Sequence, residues 1–386
     1  MKKLLAILLP LGIAAATVPQ TVSAQQTDGL TPYGQIRIWT GYVKQSKEVT
    51  GSKAETDFAL KNTSTRFGVK GKSGDIDAVI ELGVNGASDD SAANIKVTTR
   101  HAYAKWNYSK DINFLLGQTD APFTTYGNST VDDSSLLGFG STSQPRDLQI
   151  KATLFGFYVD FLNPNTKLTF TAADGTKTTT STNTDILYPK TAIGYDLNIT
   201  SESLSLLVSP GAAFQSIKVD KEGNAVDGKK INSFLAYAHA LLKTGGFSVL
   251  ANAGYGVNTG NLGLTYSGAF TTAPSSIGTA SKSISTNAVF VGDKIKNTTS
   301  IEGFIDAGYD FGAAEVRGGI GYAQAKNDAW DKTDQQIVYY GQLSIPLVPG
   351  KLFLKPGVEY RDFKKDNAGN KQGNEIVAGS FIQAIF

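Results

Sequence analysis

Between about residues 32 and 386, apolar and polar side chains alternate in short runs. The connectors between runs alternate between a few residues and long polar stretches. Alternation with a period of two marks a strand with one apolar face. In 33–43, Ile36, Ile38, Thr40 and Tyr42 share one face, and Gln35 and Arg37 share the other. In the next run Phe67 and Val69 oppose Ser64, Arg66 and Lys70. In the third, Ile76, Ala78, Ile80, Leu82 and Val84 alternate with Asp75, Asp77 and Glu81. The polar face carries charge, which a water-filled interior tolerates and a dry core does not.

The pattern predicts sixteen strands, near 33–43, 62–70, 75–85, 95–108, 111–118, 146–154, 155–163, 187–199, 202–218, 231–244, 246–258, 299–311, 313–326, 335–347, 350–364 and 374–386. Tight turns fall near 71–74, 109–110, 155, 200–201, 245, 312 and 348–349. Long loops fall near 44–60, 86–94, 119–145, 164–186, 219–230, 259–298, 327–334 and 365–373. Short and long connectors alternate throughout once 146–163 is divided at Phe155-Gly156. That regularity predicts an all-β fold, a transmembrane antiparallel β-barrel with both termini on the short-turn side. Pro210 and Pro356 fall inside strands, where each removes a ladder hydrogen bond and predicts a bulge or an early strand end. Strict alternation puts His101, Tyr103 and Lys105 on the lipid face and points Trp39, Trp106 and Tyr108 inward. Tyr33, Trp39, Tyr42, Trp106, Tyr108 and Trp330 near strand ends are candidates for aromatic girdles at the headgroups.

Composition narrows the picture. Lys2 and Lys3, an apolar run interrupted by Pro10, and Val22-Ser23-Ala24 form the layout of a cleaved secretory signal peptide over 1–24. The run is short and interrupted for a spanning helix. Residues 25–386 then form a single barrel domain. Lys and Arg total 36 against 34 Asp and Glu, so loss of Lys2 and Lys3 leaves a formally neutral chain with no basic excess for nucleic acid. The absence of Cys excludes thiolate chemistry and disulfide scaffolds. A mean hydropathy of −0.14 suits a barrel that shows lipid only half of each strand.

Four places resemble the general porins of Gram-negative outer membranes. Tyr33-Gly34-Gln35-Ile36-Arg37 is similar to that family's first strand. Thr65-Arg66-Phe67-Gly68-Val69-Lys70-Gly71 is similar to its second, and Thr99-Arg100-His101-Ala102-Tyr103-Ala104 to its fourth. The ending from Ile376 through Gly379 and Phe381 to Phe386 is similar to its closing strand. Gln118 and Ala384 depart from the family pattern, which has Arg at the first position and an aromatic at the second. The resemblance implies a sixteen-stranded barrel, a homotrimer, a third long loop (119–145) folded into the lumen, and a terminal Phe386 read by the barrel-insertion machinery. A loop of that length without elements of its own suits a functional role, and a barrel of this size has room for it.

By parity Arg37, Arg66 and Arg100 point inward, and the resemblance puts Arg146 beside them. Asp120, Asp132 and Asp133 on the loop would form a facing acidic row, and Lys70, Asp77 and Glu81 further lumen charges. Facing rows of opposite sign produce a transverse field that sorts ions and disfavours apolar solutes. The alternative is ordinary lumen charge facing bulk water. The two histidines, His101 and His239, fall outward by parity, leaving no base beside a nucleophile, so an enzyme is disfavoured. The acidic pairs lack metal-site spacing, and no cofactor motif occurs. The expectation is a passive outer-membrane channel for ions and small hydrophilic solutes, surrounded by lipid and lipopolysaccharide. Alternatives are a channel selective for sugars or anions, and a structural or adhesive barrel presenting loop 259–298.

Overall fold

The computed structural model describes residues 29–85, 96–129, 131, 136, 139–142, 146–166, 168–171, 177–180, 183–220, 227–264 and 284–386. Asp132, Asp133 and the segment 1–24 lie outside them.

Sixteen antiparallel strands close into a barrel. They are β1 (Gly29–Gln45), β2 (Glu55–Ser73), β3 (Ile76–Asn85), β4 (Lys96–Trp106), β5 (Ile112–Thr119), β6 (Asp147–Leu154), β7 (Phe157–Leu162) and β8 (Asn183–Tyr195, continued by Leu197–Thr200). The second half comprises β9 (Leu204–Asp220), β10 (Lys230–Thr244), β11 (Phe247–Val257), β12 (Thr298–Asp310), β13 (Glu315–Asn327), β14 (Asp334–Val348), β15 (Leu352–Asp362) and β16 (Asn374–Ile385). Each strand pairs with its sequence neighbours, and β1 pairs with β16 to close the ring. The expected alternation of connectors holds. The turn at Phe155-Gly156 is real, with both residues at positive φ (51° and 85°) between paired β6 and β7. The first long loop is shorter than expected, because β1 and β2 extend their pairing to Gln45 and Glu55, leaving a one-turn helix, Lys47–Thr50, at the tip.

Both in-strand prolines are accommodated locally. β9 runs through Pro210, and its neighbour β8 breaks at Asp196, whose carboxylate accepts a hydrogen bond from Ser209 Oγ at 2.7 Å. The β14–β15 register skips Lys355 and Pro356, while β15 keeps its pairing with β16 there.

The outer face is a belt of exposed aliphatic side chains, including Ile36, Ile38, Leu60, Val69, Ile80, Leu116, Ile150, Ile193 and Ile305. Exposed aromatics rim it at both ends: Tyr42, Phe58, Tyr188, Tyr255, Tyr339 and Tyr360 toward the long loops, and Tyr108, Phe155, Phe157, Tyr195, Phe247, Tyr309 and Phe311 toward the short turns. Such rims suit the headgroup zone. Three candidates do not belong to them. Tyr33 turns inward to Glu81, Trp39 is fully buried, and Trp330 packs against an internal apolar cluster.

Described residues of two long loops lie inside the barrel. From the stretch 120–146, Val131, Leu136 and Phe139 pack with Trp39, Phe304, Val338, Phe363 and Phe381. Described residues of 258–297 also pack inside. Leu262, Leu264 and Ile284 join Ala121 and Phe123 of the first loop, Leu162, Ala192, Leu235 and Tyr237 of β7, β8 and β10, and Ala323 and Ala325 of β13. Apolar side chains on the inner face of β7–β10 therefore have partners inside the barrel. This explains why His239, expected outward, lies inward: it shares a face with buried Leu235 and Tyr237, and its ring runs parallel to Tyr237 (9°).

At the seam, Gly34 N donates to the Phe386 carbonyl at 2.8 Å and Phe386 N donates back at 3.1 Å. A Cβ on Gly34 would lie 2.6 Å from the Phe386 ring, so glycine is what lets the terminal aromatic lie flat there.

Candidate functional site

The inner face of β1–β5 carries a cluster of basic groups. Arg66 of β2 lies within electrostatic reach of Arg37, Arg100 and Arg146, the last just ahead of β6. Arg37 places its guanidinium 5.4 Å from the Phe381 ring centroid. Glu81 of β3 is the hub, accepting from Arg100 Nε at 2.7 Å and Tyr33 Oη at 3.0 Å, with Arg66 Nε at 3.7 Å. Arg66, Arg100 and Arg146 keep 32, 21 and 18% of their side-chain surface exposed, whereas Glu81 keeps 5%. The guanidinium groups are therefore presented to the lumen and the carboxylate is held behind them. Arg suits this position because it stays charged under partial desolvation.

Parity fails on β4, and a bulge is the reason. Glu81 pairs with His101 but Leu82 pairs with Thr99, so Arg100 is the extra residue and both Arg100 and His101 face inward. His101 Nδ1 lies 2.9 Å from Thr119 Oγ1, Arg146 Nε lies 3.2 Å from its Nε2, and Glu81 and Asp120 each lie 3.9 Å away. Beyond the bulge Tyr103 and Lys105 follow on the inner face opposite Val79 and Asp77, and Trp106 turns outward to stack on Phe114. The poor lipid face expected for this strand thus disappears, as does an inward Trp106.

Asp120 differs from its expected place. It sits on the basic side, 3.2 Å from Arg146 Nε and accepting from Tyr126 Oη at 3.2 Å, rather than across from the arginines. Lys70 stands 4.9 Å over the Tyr33 ring, and Asp77 accepts from Asn107 Nδ2 at 2.7 Å.

The acidic groups opposite the cluster belong to the wall. Glu302 and Asp306 of β12 and Glu359 of β15 hold the inner loop. Thr142 Oγ1 donates to Glu302 at 2.5 Å, Asn128 N to Asp306 at 2.8 Å, and Ser129 Oγ to Glu359 at 3.0 Å. Asn252 Nδ2 donates to Gly140 O, and Trp39 Nε1 donates to Val131 O. Behind these contacts, Arg317 and Tyr340 bind Asp306, and fully buried Arg361 bridges Glu359 and Glu375. Asp306 and Glu359 are each satisfied from the loop side and from the wall side, as a buried charge requires. Gly140, at φ +104°, brings the loop backbone against the backbone of Gly303 and Tyr322, an approach that a Cβ at Gly140 would block, and the Phe139 carbonyl lies where a Cβ on Gly321 would sit. Sequence parity could have found Glu302 and Asp306, which lie on one strand face four residues apart. Their role as loop anchors had no local signal.

No family model matches the chain, and no curated relative matches it. Solved structures do match. The outer membrane channel DcaP of Acinetobacter baumannii is 14% identical, with a TM-score of 0.66 over 95% of this chain and 99% of that one. OprB of Pseudomonas putida is 13% identical, with a TM-score of 0.53 over 93% and 94%. The anion-selective porin of Comamonas acidovorans is 15% identical, with a TM-score of 0.51 over 93% and 100%. A closed antiparallel barrel of sixteen strands is thus the fold this chain shares with bacterial outer-membrane porins.

Proposed function

We propose that the protein is an outer-membrane porin, a passive diffusion channel for ions and small hydrophilic solutes that is narrowed by its inner loops and favours anions at the narrowing. The observation that carries this reading is the partly exposed guanidinium cluster beside the inner loop. The described loop residues pack on Trp39 of β1 and on the β7–β16 side of the interior, and the guanidinium face of β1–β5, with Arg37, Arg66, Arg100, Arg146, Tyr103 and Lys105, is read as the route for solutes. Four guanidinium groups against Glu81 and Asp120 leave a formal surplus of two positive charges. Such a surplus in a confined passage raises local anion concentration and excludes cations. Of the three loop carboxylates expected to face the arginines, Asp120 belongs to the basic side, and Asp132 and Asp133 lie outside the described residues.

The anion-selective neighbour supports this preference by fold likeness alone. A sugar channel is disfavoured, since Trp39 lies beneath the inner loop and Trp106 faces outward, which breaks the aromatic track such a channel needs. Export through the 1–24 signal, insertion guided by Phe386, surrounding lipopolysaccharide and a trimeric assembly complete the reading. No covalent step belongs to it, and the structural neighbours above are described as channels and porins. Planar-bilayer recording tests it. Stepwise openings and a salt-gradient reversal potential on the anion side are expected. Purified, folded protein that gives no steps would refute the channel and favour an adhesive barrel.

A further inference from the structure

At the long-loop end, Lys229, Lys230, Lys294 and Lys296 surround a cavity of about 370 Å³, with Asp293 and Ile295 completing its wall. We propose that this cavity binds a multiply charged phosphate group, carried by a soluble phosphate compound or by a lipid headgroup. The cavity is separate from the arginine cluster and does not depend on the channel reading.

Its frame is fixed from below. The hairpin of Val289–Val291 paired with Lys294–Lys296 turns at Gly292 (φ 61°) and Asp293. Its underside, Phe290 and Ile295, packs on Ile217, Val219 and Ile231 of β9 and β10 together with Ala288. Ala288 N donates to Asn261 Oδ1 at 2.7 Å, Thr298 Oγ1 to Asn287 O at 2.6 Å, and Asn258 Nδ2 to Asn297 Oδ1 at 2.8 Å. The ammonium groups are thus gathered by packing that does not involve their charge.

None of the four lysines forms an ion pair among the described residues, whereas nearby Lys218 is matched with Asp185 at 3.5 Å. Four like charges around one cavity with one carboxylate repel each other, and a bound anion relieves that repulsion. The ligand class follows from the donors. Lysine acts as a compact, strongly hydrated point charge of the kind that binds phosphate groups. Four ammonium groups against the single Asp293 carboxylate leave a formal surplus of three positive charges, whose attraction grows with the charge of the ligand and so favours one with two or more charges.

The test uses the full-length folded protein and the variant Lys229→Gln/Lys230→Gln/Lys294→Gln/Lys296→Gln. Calorimetric titration with pyrophosphate is compared with retention on vesicles containing lipopolysaccharide, with and without its lipid A phosphates. Pyrophosphate binding that weakens at least tenfold in the variant assigns a soluble ligand. Absent pyrophosphate binding, lysine-dependent retention only on phosphorylated lipopolysaccharide assigns a headgroup. If neither measurement responds to the lysines, the proposal is overturned. An unchanged shift on heat-modifiable gels certifies the fold of the variant. Should the fourfold variant not fold, Lys294→Gln/Lys296→Gln on the hairpin replaces it, with the same outcomes read at a smaller fold-change.

Discussion

Replacing Arg37, Arg66 and Arg100 with Gln converts the formal surplus of two positive charges at the proposed constriction into a deficit of one. At a separation of roughly 8 Å, each removed charge acts on a passing ion with about 0.5 kcal/mol even at the dielectric constant of bulk water. Three charges give about 1.5 kcal/mol, and screening at 0.1 M salt, with a Debye length of about 10 Å, leaves roughly half of that. Anions lose this amount and cations gain it, so the anion-to-cation permeability ratio falls by about 1.4 kcal/mol, or tenfold. That is a lower bound, since the passage is less polarisable than bulk water. The assay is the reversal potential of single channels under a salt gradient, which is expected to change sign. Adding Glu81→Gln, whose carboxylate lies 2.7 Å from Arg100 in the parent, restores local neutrality and should give a channel with little preference. A triple variant that folds and keeps its permeability ratio within about twofold would refute the assignment of these arginines to the narrowing.

Gly140→Val forces a branched side chain onto a backbone at φ +104° that faces the carbonyls of Gly303 and Tyr322, so the inner loop should detach from β12 and β13. Larger and noisier single-channel currents are expected, and a quiet current of normal size would contradict the anchoring. Phe123→Ala removes a fully buried ring between the two inner loops, with a local cost of about 3–5 kcal/mol, and should raise the size limit in liposome-swelling measurements. An unchanged limit would mean that this contact does not bear on the passage. Gly34→Leu crowds the Phe386 ring at the seam and should cost about 1–3 kcal/mol. Loss of the folded band at a lower temperature on heat-modifiable gels checks it, and an unaltered transition would count against the seam contact.

The strand count, the turn positions and the chain direction were legible in the sequence, because a lipid exterior and a wet interior impose alternation on every crossing. Legibility ended where that premise weakened. On β4 the extra residue at Arg100 inverted parity for His101, Tyr103, Lys105 and Trp106, and a bulge leaves no compositional trace. On β10 the inner face is apolar because a second loop covers it, so parity alone puts His239, which shares that face with buried Leu235 and Tyr237, toward the lipid. Trp39 failed as a girdle residue for a similar reason, since its inward partner is a loop carbonyl distant in sequence. The anchors Glu302, Asp306 and Glu359 depend on where the inner loop lands, which the chain's local pattern does not encode.

The handshake between Gly34 and Phe386 has a consequence for how the molecule is made. The neighbouring bond from Gln383 Nε2 to Gln35 Oε1 at 3.0 Å joins residues 348 positions apart, so the ring's last join needs nearly the whole polypeptide. Until the carboxyl end arrives, the opening strand has one ladder edge bare, and bare edges recruit other chains. Loop-closure entropy for so distant a pairing must be overcome before its bonds repay it. Whatever delivers the two ends to one another therefore governs the slow step of maturation, and a polypeptide cut short before β16 leaves an open sheet at risk of clumping.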